Sequence, residues 1–267
     1  MFNDERAANR KRWDAVVSVH ARSRFYDLPS FKAGRSSLLP IEEEELTDVS
    51  GKSLLHLQCH FGMDTLSWAR KGAQVTGVDF SAEAIALARA LSSELHLDAR
   101  FIESDIYELR SQLDERFDIV FTSYGAICWL PDLTAWARII ASCLKEGGTF
   151  YMVEGHPFSE MLDDESETLK LSTPYFHDGQ PIRYDSTETY TDADGPVEVT
   201  TSYAWVHTMA DIINSLATAG LRIEFVHEFD FCFFPRLPGM VRGDNGLWRT
   251  TGDGPSFPFT FSLRATR

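Results

Sequence analysis

Between residues 53 and 155 the chain alternates short apolar runs with helical patterns at regular intervals. SLLHLQ (53–58), AQVTGVDF (73–80), ARFIESD (99–105), FDIVFTSY (117–124) and TFYMVEG (149–155) have strand character. Between them, MDTLSWARKG (63–72), SAEAIALARALSSEL (81–95) and LTAWARIIASCLKEGG (133–148) have helical character. Ser81 is placed as an N-cap, and Gly72 stops its helix behind Arg70 and Lys71. Such alternation requires right-handed βαβ units and a parallel sheet covered on both faces.

The flanks are less regular. Residues 4–21 form a polar-rich helix, followed by an aromatic irregular stretch and an acidic helix, IEEEEL. The rhythm breaks again at 156–206, where the acidic run DDESE and two strand-like pieces, TETYT and VEVTTSYAWVH, suggest an insertion across one face of the sheet. Regular structure returns with TMADIINSLATAG (208–220), whose Thr208 and Asp211 have capping-box spacing. LRIEFVHEF (221–229), a Pro/Gly/aromatic loop (230–255) and FPFTFSLRA (257–265) then close the chain. The expected architecture is α/β: a Rossmann-like, doubly wound, mostly parallel seven-stranded sheet with an antiparallel edge strand. It forms one domain, with an N-terminal helical cap (1–50), a core (51–155), an inserted β-rich cap (156–206) and a completion of the sheet (207–267).

A formal net charge of −15 disfavours a nucleic-acid footprint and docking on anionic lipid. No apolar run is long enough to span a bilayer, and the first residues lack a signal-peptide core. Cys59, Cys128, Cys143 and Cys232 are scattered without a C-x-x-C pair, as free thiols in a reducing cytoplasm would be.

Ligands of open α/β sheets bind at the carboxyl ends of the strands. The first strand is followed by Gln58, Cys59, His60, Phe61 and Gly62, then by Asp64 and Thr65 in the first helical turn. Asp79 ends the second strand, suited to both hydroxyls of a ribose, with Phe80 beside it for an adenine face. Asp105, before Ile106, ends the third strand and suits the adenine amino group. Either acid alone is better read as a helix N-cap or an exposed loop charge; two at successive strand ends, one of them before an aromatic, favour a nucleoside. Ser123, Tyr124 and Gly125 end the fourth strand, and Glu154, Gly155 and His156 the fifth.

Neither G-x-G-x-x-G nor G-x-x-x-x-G-K-[ST] occurs, so there is no glycine-lined phosphate cradle. A nucleoside cofactor without phosphate, S-adenosylmethionine (SAM), fits that combination. Residues of about 50–155 resemble class I SAM-dependent methyltransferases of the small-molecule type. LLHLQCHFGMDTLSWARKGAQVTGVDFS, ARFIESDIYEL, FDIVFTSYGAICWLPDL and LKEGGTFYMVE are similar to segments of the ubiquinone/menaquinone-biosynthesis enzymes and of a bacterial group with unassigned substrates. Where the family has an acid and alternating glycines in its first motif, this chain has His56, Gln58 and His60 and keeps Gly62. The string H-L-Q-C-H-F-G is similar to the first motif of one uncharacterised bacterial branch. The resemblance implies SAM as cofactor and methyl transfer to a small-molecule oxygen or nitrogen.

Read as a metal site, His56, Cys59 and His60 lack a fourth ligand, and strand alternation separates Cys59 from His56. No metal is expected; Cys59 is either a thiol activated by the following helix or a small residue packed under the cofactor. Acceptor-side candidates lie in the cap and at strand ends. His156 is the first choice for a general base, His207 the second and His177 the third, each of them otherwise a structural histidine. Tyr124 and Trp129 suit cation–π contact with a sulfonium, and Trp129 equally suits core packing. Tyr26 and Phe25 are expected to close over the cofactor. Trp205 and Phe234 would wall an acceptor pocket, with Arg236 and Arg183 as charges for an acidic substrate group. The competing readings are a non-catalytic SAM-binding regulator and, more weakly, an NAD-dependent oxidoreductase. Oligomeric state is not legible.

Overall fold

The computed structural model describes residues 2–166, 169–192, 197–251 and 256–267. Five parallel strands realise the alternation: β1 (Ser53–Leu57), β2 (Gln74–Asp79), β3 (Ala99–Glu103), β4 (Phe117–Ser123) and β5 (Leu144–Gly155). β6 (Ile182–Asp185) and β7 (Thr201–Ala204) pair antiparallel outside the main sheet. β8 (Arg222–Phe229) follows, then a small hairpin of β9 (Val241–Arg242) and β10 (Trp248–Arg249), and finally β11 (Thr260–Thr266). The main sheet has seven strands in the order β3-β2-β1-β4-β5-β11-β8, with β11 antiparallel to both of its neighbours. The antiparallel strand, expected at the edge, is β11, which lies one place in, between β5 and the outermost β8.

The helices are α1 (Asn3–Arg22), α2 (Leu28–Lys32), α3 (Pro40–Glu45), α4 (Met63–Arg70), α5 (Ala82–Glu94), α6 (Leu133–Cys143) and α7 (Met209–Thr218). Side chains alternate along each strand, so neighbouring residues serve opposite cores. Leu55, Leu57, Val120, Phe150 and Met152 pack under Trp136 and Ile140 of α6 and Ile212 and Leu216 of α7. Leu54, Ile119, Phe121, Tyr151 and Val153 pack on the other face with Trp68 of α4 and Ile41 of α3. Covering both faces explains why the central strands are apolar throughout. Trp136 is fully buried, and its truncation to Ala would cost about 3–5 kcal/mol.

Local signals hold at several boundaries. Ser81 accepts from Ala84 N, and Thr208 with Asp211 forms a complete capping box. Elsewhere the structure departs from the sequence reading. The helix expected to reach residue 148 stops at Cys143, because Leu144 is already extended and pairs with Phe117 in β5. Gly147 takes φ 72°, and a Cβ on Gly148 would lie 2.9 Å from Lys145 O, so the double glycine makes an irregularity inside the strand. TETYT (187–191) is not a strand. Thr191 N bonds to Thr189 Oγ1, a local turn that competes with ladder pairing. Only Thr201–Ala204 of the second strand-like piece pairs, with β6, which the sequence did not reveal. Of the acidic run DDESE, Glu167 lies outside the described residues, as do residues 252–255 of the long loop.

The two caps are joined to each other. Asn9 of α1 extends the ladder of β7, donating to Tyr203 O at 2.8 Å and accepting from Tyr203 N at 2.7 Å. Arg12 donates to Val199 O at 2.5 Å and to Glu188 O. Helix α1, held between this hairpin and α5, therefore lies across the carboxyl ends of β1–β3.

Candidate active site

The loop after β1 keeps the shape of a glycine-rich turn with few glycines. Gln58, His60 and Gly62 have φ of 57°, 49° and 78°. For the first two this left-handed conformation costs roughly 1–2 kcal/mol each. Side-chain contacts offset that strain. Gln58 Nε2 donates to Ala126 O at 2.7 Å, tying the loop to the one after β4. The His60 ring meets His20 of α1 (Nε2 to Nδ1, 3.0 Å), and His20 Nε2 lies 2.9 Å from Thr189 Oγ1 of the inserted cap. Burial holds His20 neutral, its pKa down at about 3, and depresses His60 well below the usual range. Gly62 must stay small: a Cβ there would fall 2.6 Å from the Phe101 ring.

The other residues of the opening loop diverge. His56 Nδ1 pairs with Thr65 Oγ1 at 2.8 Å, and its Nε2 lies 3.3 Å from Ser123 Oγ. Burial brings its pKa to about 3. The Cys59 thiol packs against Gly77 and Phe101, and burial pushes it far above its ordinary value. An unreactive packed thiol is the reading that fits this environment. Asp64, at the start of α4, accepts from Ser37 Oγ at 2.6 Å and Ser123 Oγ at 3.0 Å.

At the end of β2, Asp79 accepts from Ser81 N at 2.9 Å and from His60 N at 2.8 Å. Burial raises its pKa to about 6 despite these bonds. Phe80 beside it is approached by the Arg10 guanidinium, 6.0 Å from the ring centre. Asp105 accepts from Tyr107 N at 2.9 Å and forms an ion pair with Arg6 of α1. At the end of β5, the Glu154 carboxylate is enclosed by four backbone donors: Gly125 N, Ala126 N at 2.7 Å, Ile127 N at 3.2 Å and Gly155 N at 2.8 Å. It organises the turn after β4, in which Tyr124 takes φ 37° with its ring 4.4 Å from that of Phe233.

These elements enclose a cavity of about 740 Å³. Tyr26, Gln58, His60, Gly62, Asp79, Phe80, Asp105, Ile106, Ser123 and Tyr124, residues proposed for the cofactor, all line it. Phe25, Trp129, Trp205, Phe234, Arg236 and His207 line the remainder. Thr65 does not: it is wholly buried against His56. His156, the first choice for a base, also lies outside the wall. Its Nε2 is bonded to Glu228 at 2.9 Å, and its Nδ1 accepts from Phe158 N at 3.0 Å, so both ring nitrogens hold structure. His177 is similarly engaged by Asp211 at 3.1 Å and Gly179 N at 3.1 Å, away from the cavity. Arg236 is in place, but Glu160 (2.9 Å) and Asp164 (3.2 Å) already neutralise it. Arg183 pairs with Asp185 at 2.9 Å and is exposed.

His207 is better situated. Its Nε2–H donates to Leu130 O at 2.8 Å, which leaves Nδ1 as the acceptor. Burial lowers its pKa to about 4, so the ring is neutral at pH 7. Sequence reasoning missed the contribution of α1, whose Arg6, Asn9 and Trp13 line the cavity, and of Tyr190 from the insertion. The sequence marked this helix only as polar-rich, and its docking on β7 places these residues.

The sheet order and the cavity at the carboxyl ends of its strands define a Rossmann-like fold. Residues 54–148 match the model of a methyltransferase domain. A ubiquinone biosynthesis O-methyltransferase of Aeromonas salmonicida (strain A449) is 28% identical over 134 residues, 49% of this chain and 56% of that relative. The chain thus spans little more than half the length of that curated relative. Among solved structures, one described as a putative SAM-dependent methyltransferase from Listeria monocytogenes superposes with a TM-score of 0.57 at 19% identity, covering 84% of this chain and 95% of the other. The glycopeptide N-methyltransferase MtfA complexed with SAM superposes with a TM-score of 0.53 at 15% identity, covering 84% and 91%. Residues 54–148 are a methyltransferase domain, and the fold around it is shared with SAM-dependent methyltransferases.

The residues present fit that cofactor. Gln58 and His60 line the cavity, and each keeps one buried polar atom unpartnered, Oε1 and Nδ1 respectively. Buried polar atoms of this kind call for a bonding partner. Asp79 retains free lone pairs for ribose hydroxyls beyond its two backbone bonds.

Proposed function

We propose that the protein transfers a methyl group from SAM to an oxygen or nitrogen of a small-molecule acceptor. The observation that carries this reading is the left-handed loop Gln58–Gly62, held at His60 N by Asp79. A loop that had merely lost its glycines would have no reason to keep their backbone conformation against a cost of roughly 1–2 kcal/mol per residue. The role of the whole chain as one catalytic unit, with both caps closing over the substrate, belongs to the same reading.

SAM, when bound, would supply an electrophilic methyl on its sulfonium, transferred in line to the acceptor with S-adenosylhomocysteine as the leaving group. The chain's own contribution is chiefly positioning. Asp79 and Phe80 hold the nucleoside, and Asp105 borders it together with Arg6, which already occupies part of that carboxylate. Tyr124, Trp129, Trp205 and Phe234 offer aromatic faces that exclude water and favour a cation. His207, the one of the three base candidates that lines the cavity, would orient an acceptor hydroxyl or ammonium and take its proton as a weak base, since burial lowers its pKa to about 4. The acceptor end, with Arg236 neutralised, suits an uncharged or aromatic compound more than an acidic one. A net charge of −15 argues against nucleic acid as the acceptor. Among the described residues no helix is long and apolar enough to cross a membrane, and action in the cytoplasm is part of the proposal. A screen of small hydroxylated and amino compounds for S-adenosylhomocysteine release tests it: turnover supports the reading, and SAM binding without turnover of any compound would favour a regulatory protein.

A further inference from the structure

At the end of β1 the site presents a neutral imidazole, His56, held by Thr65. Ser123 links it to the carboxylate of Asp64. Asp64 lines the cavity, and the hydroxyls of Ser37 and Ser123 fix the orientation of its carboxylate, one on each oxygen. Among the described residues, no Lys, Arg or His forms an ion pair with it.

A second acid stands behind it. Glu42 of α3 is wholly buried, and neither of its carboxyl oxygens has a hydrogen-bond partner. Asp64 and the buried Tyr124 hydroxyl both act on it electrostatically, Asp64 disfavouring its charge and the hydroxyl favouring it. Burial raises the pKa of all three groups, Asp64, Glu42 and Tyr124. This corner therefore holds two desolvated carboxyl groups with no ion-pair partner among the described residues, and desolvated carboxylates are stabilised by an opposite charge within a few ångströms.

We propose that Asp64, backed by Glu42 and Tyr124, is the counter-charge for the α-ammonium of the ligand's amino-acid tail. This rests on the SAM reading. Of the two cationic groups of SAM, only the ammonium has N–H donors, and a carboxylate with free lone pairs is its natural partner. The residue after the first loop thus supplies a charge that the end of β1, carrying His56, does not.

Calorimetric titration of S-adenosylhomocysteine and its des-amino analogue into the wild type and Asp64→Asn tests this. Removal of the amino group should weaken binding to the wild type by tenfold or more. Asp64→Asn should weaken S-adenosylhomocysteine by a similar factor yet leave the des-amino analogue within about twofold. Equal weakening of both ligands, or none, overturns the proposal while leaving the cofactor reading intact. If the folded wild type binds neither ligand, the proposal and the cofactor reading fall together. Should Asp64→Asn not fold, Asp64→Ser is read in the same way, and equal binding of the two ligands by the wild type overturns the proposal without any variant.

Discussion

The backbone N–H of His60 donates to Asp79 Oδ2 at 2.8 Å, so the acid that ends β2 also secures the loop that ends β1. Asp79→Ala should therefore remove a ribose acceptor and loosen the loop together. SAM affinity is expected to fall by tenfold or more, with Asp79→Asn intermediate because it keeps one acceptor. Calorimetry on the two variants reads this out; an unchanged affinity in Asp79→Ala would remove Asp79 from the site.

The same acid gives binding a pH dependence. Its pKa in the free protein is raised to about 6, above the ordinary carboxylate value, so the ionised form needed by ribose hydroxyls is lost as pH falls through 6. Affinity for S-adenosylhomocysteine should weaken progressively between pH 7 and 5, and this component should vanish in Asp79→Asn. A flat profile in the wild type would contradict it.

Gln58 reverses the usual order of small substitutions. Alanine and glycine both lose the bond to Ala126 O, but glycine also relieves the left-handed strain that Gln58 and alanine share at φ 57°. Gln58→Ala is expected to cost about 2 kcal/mol and Gln58→Gly about 1 kcal/mol less, measured by urea unfolding. Equal losses would show that the backbone strain is absorbed elsewhere.

Much of this was legible in the sequence, and the exceptions have physical causes. Ser81, Thr208 and Asp211 announced their caps because capping is local, and the strand-end acids Asp79 and Asp105 followed from the βαβ rhythm. Helix α2 carries its own signals in Asp27 and Pro29, masked by the surrounding aromatics. The roles of Arg6, His20 and Thr189 were not readable, because they depend on two caps meeting over the sheet. His156 looked catalytic by position, but only the register of β11 and β8 shows that Glu228 takes its ring.

Those two histidines separate cleanly by experiment. His207→Ala should lower kcat by roughly 100-fold for an acceptor that must lose a proton. His156→Ala should leave kcat near the wild-type value while lowering the melting temperature through loss of the Glu228 and Phe158 contacts. The opposite pattern would return the base to the end of β5.

Buried neutral His20, His56 and His60 make the fold acid-sensitive. Their folded pKa values lie below the unfolded value of about 6.5, so the unfolded chain takes up more protons as pH falls. Stability should be complete above pH 7 and decline between about 6.5 and 3, with His20→Gln flattening part of the slope in urea titrations. Asp79 opposes this weakly, since its raised pKa favours the fold at lower pH.

The most direct test is calorimetric titration of SAM into the wild-type protein, with NAD as control. One SAM site per chain that weakens at least tenfold in Asp79→Ala is the expected result. Binding of NAD and not of SAM, or no binding of either by the folded protein, would contradict the assignment.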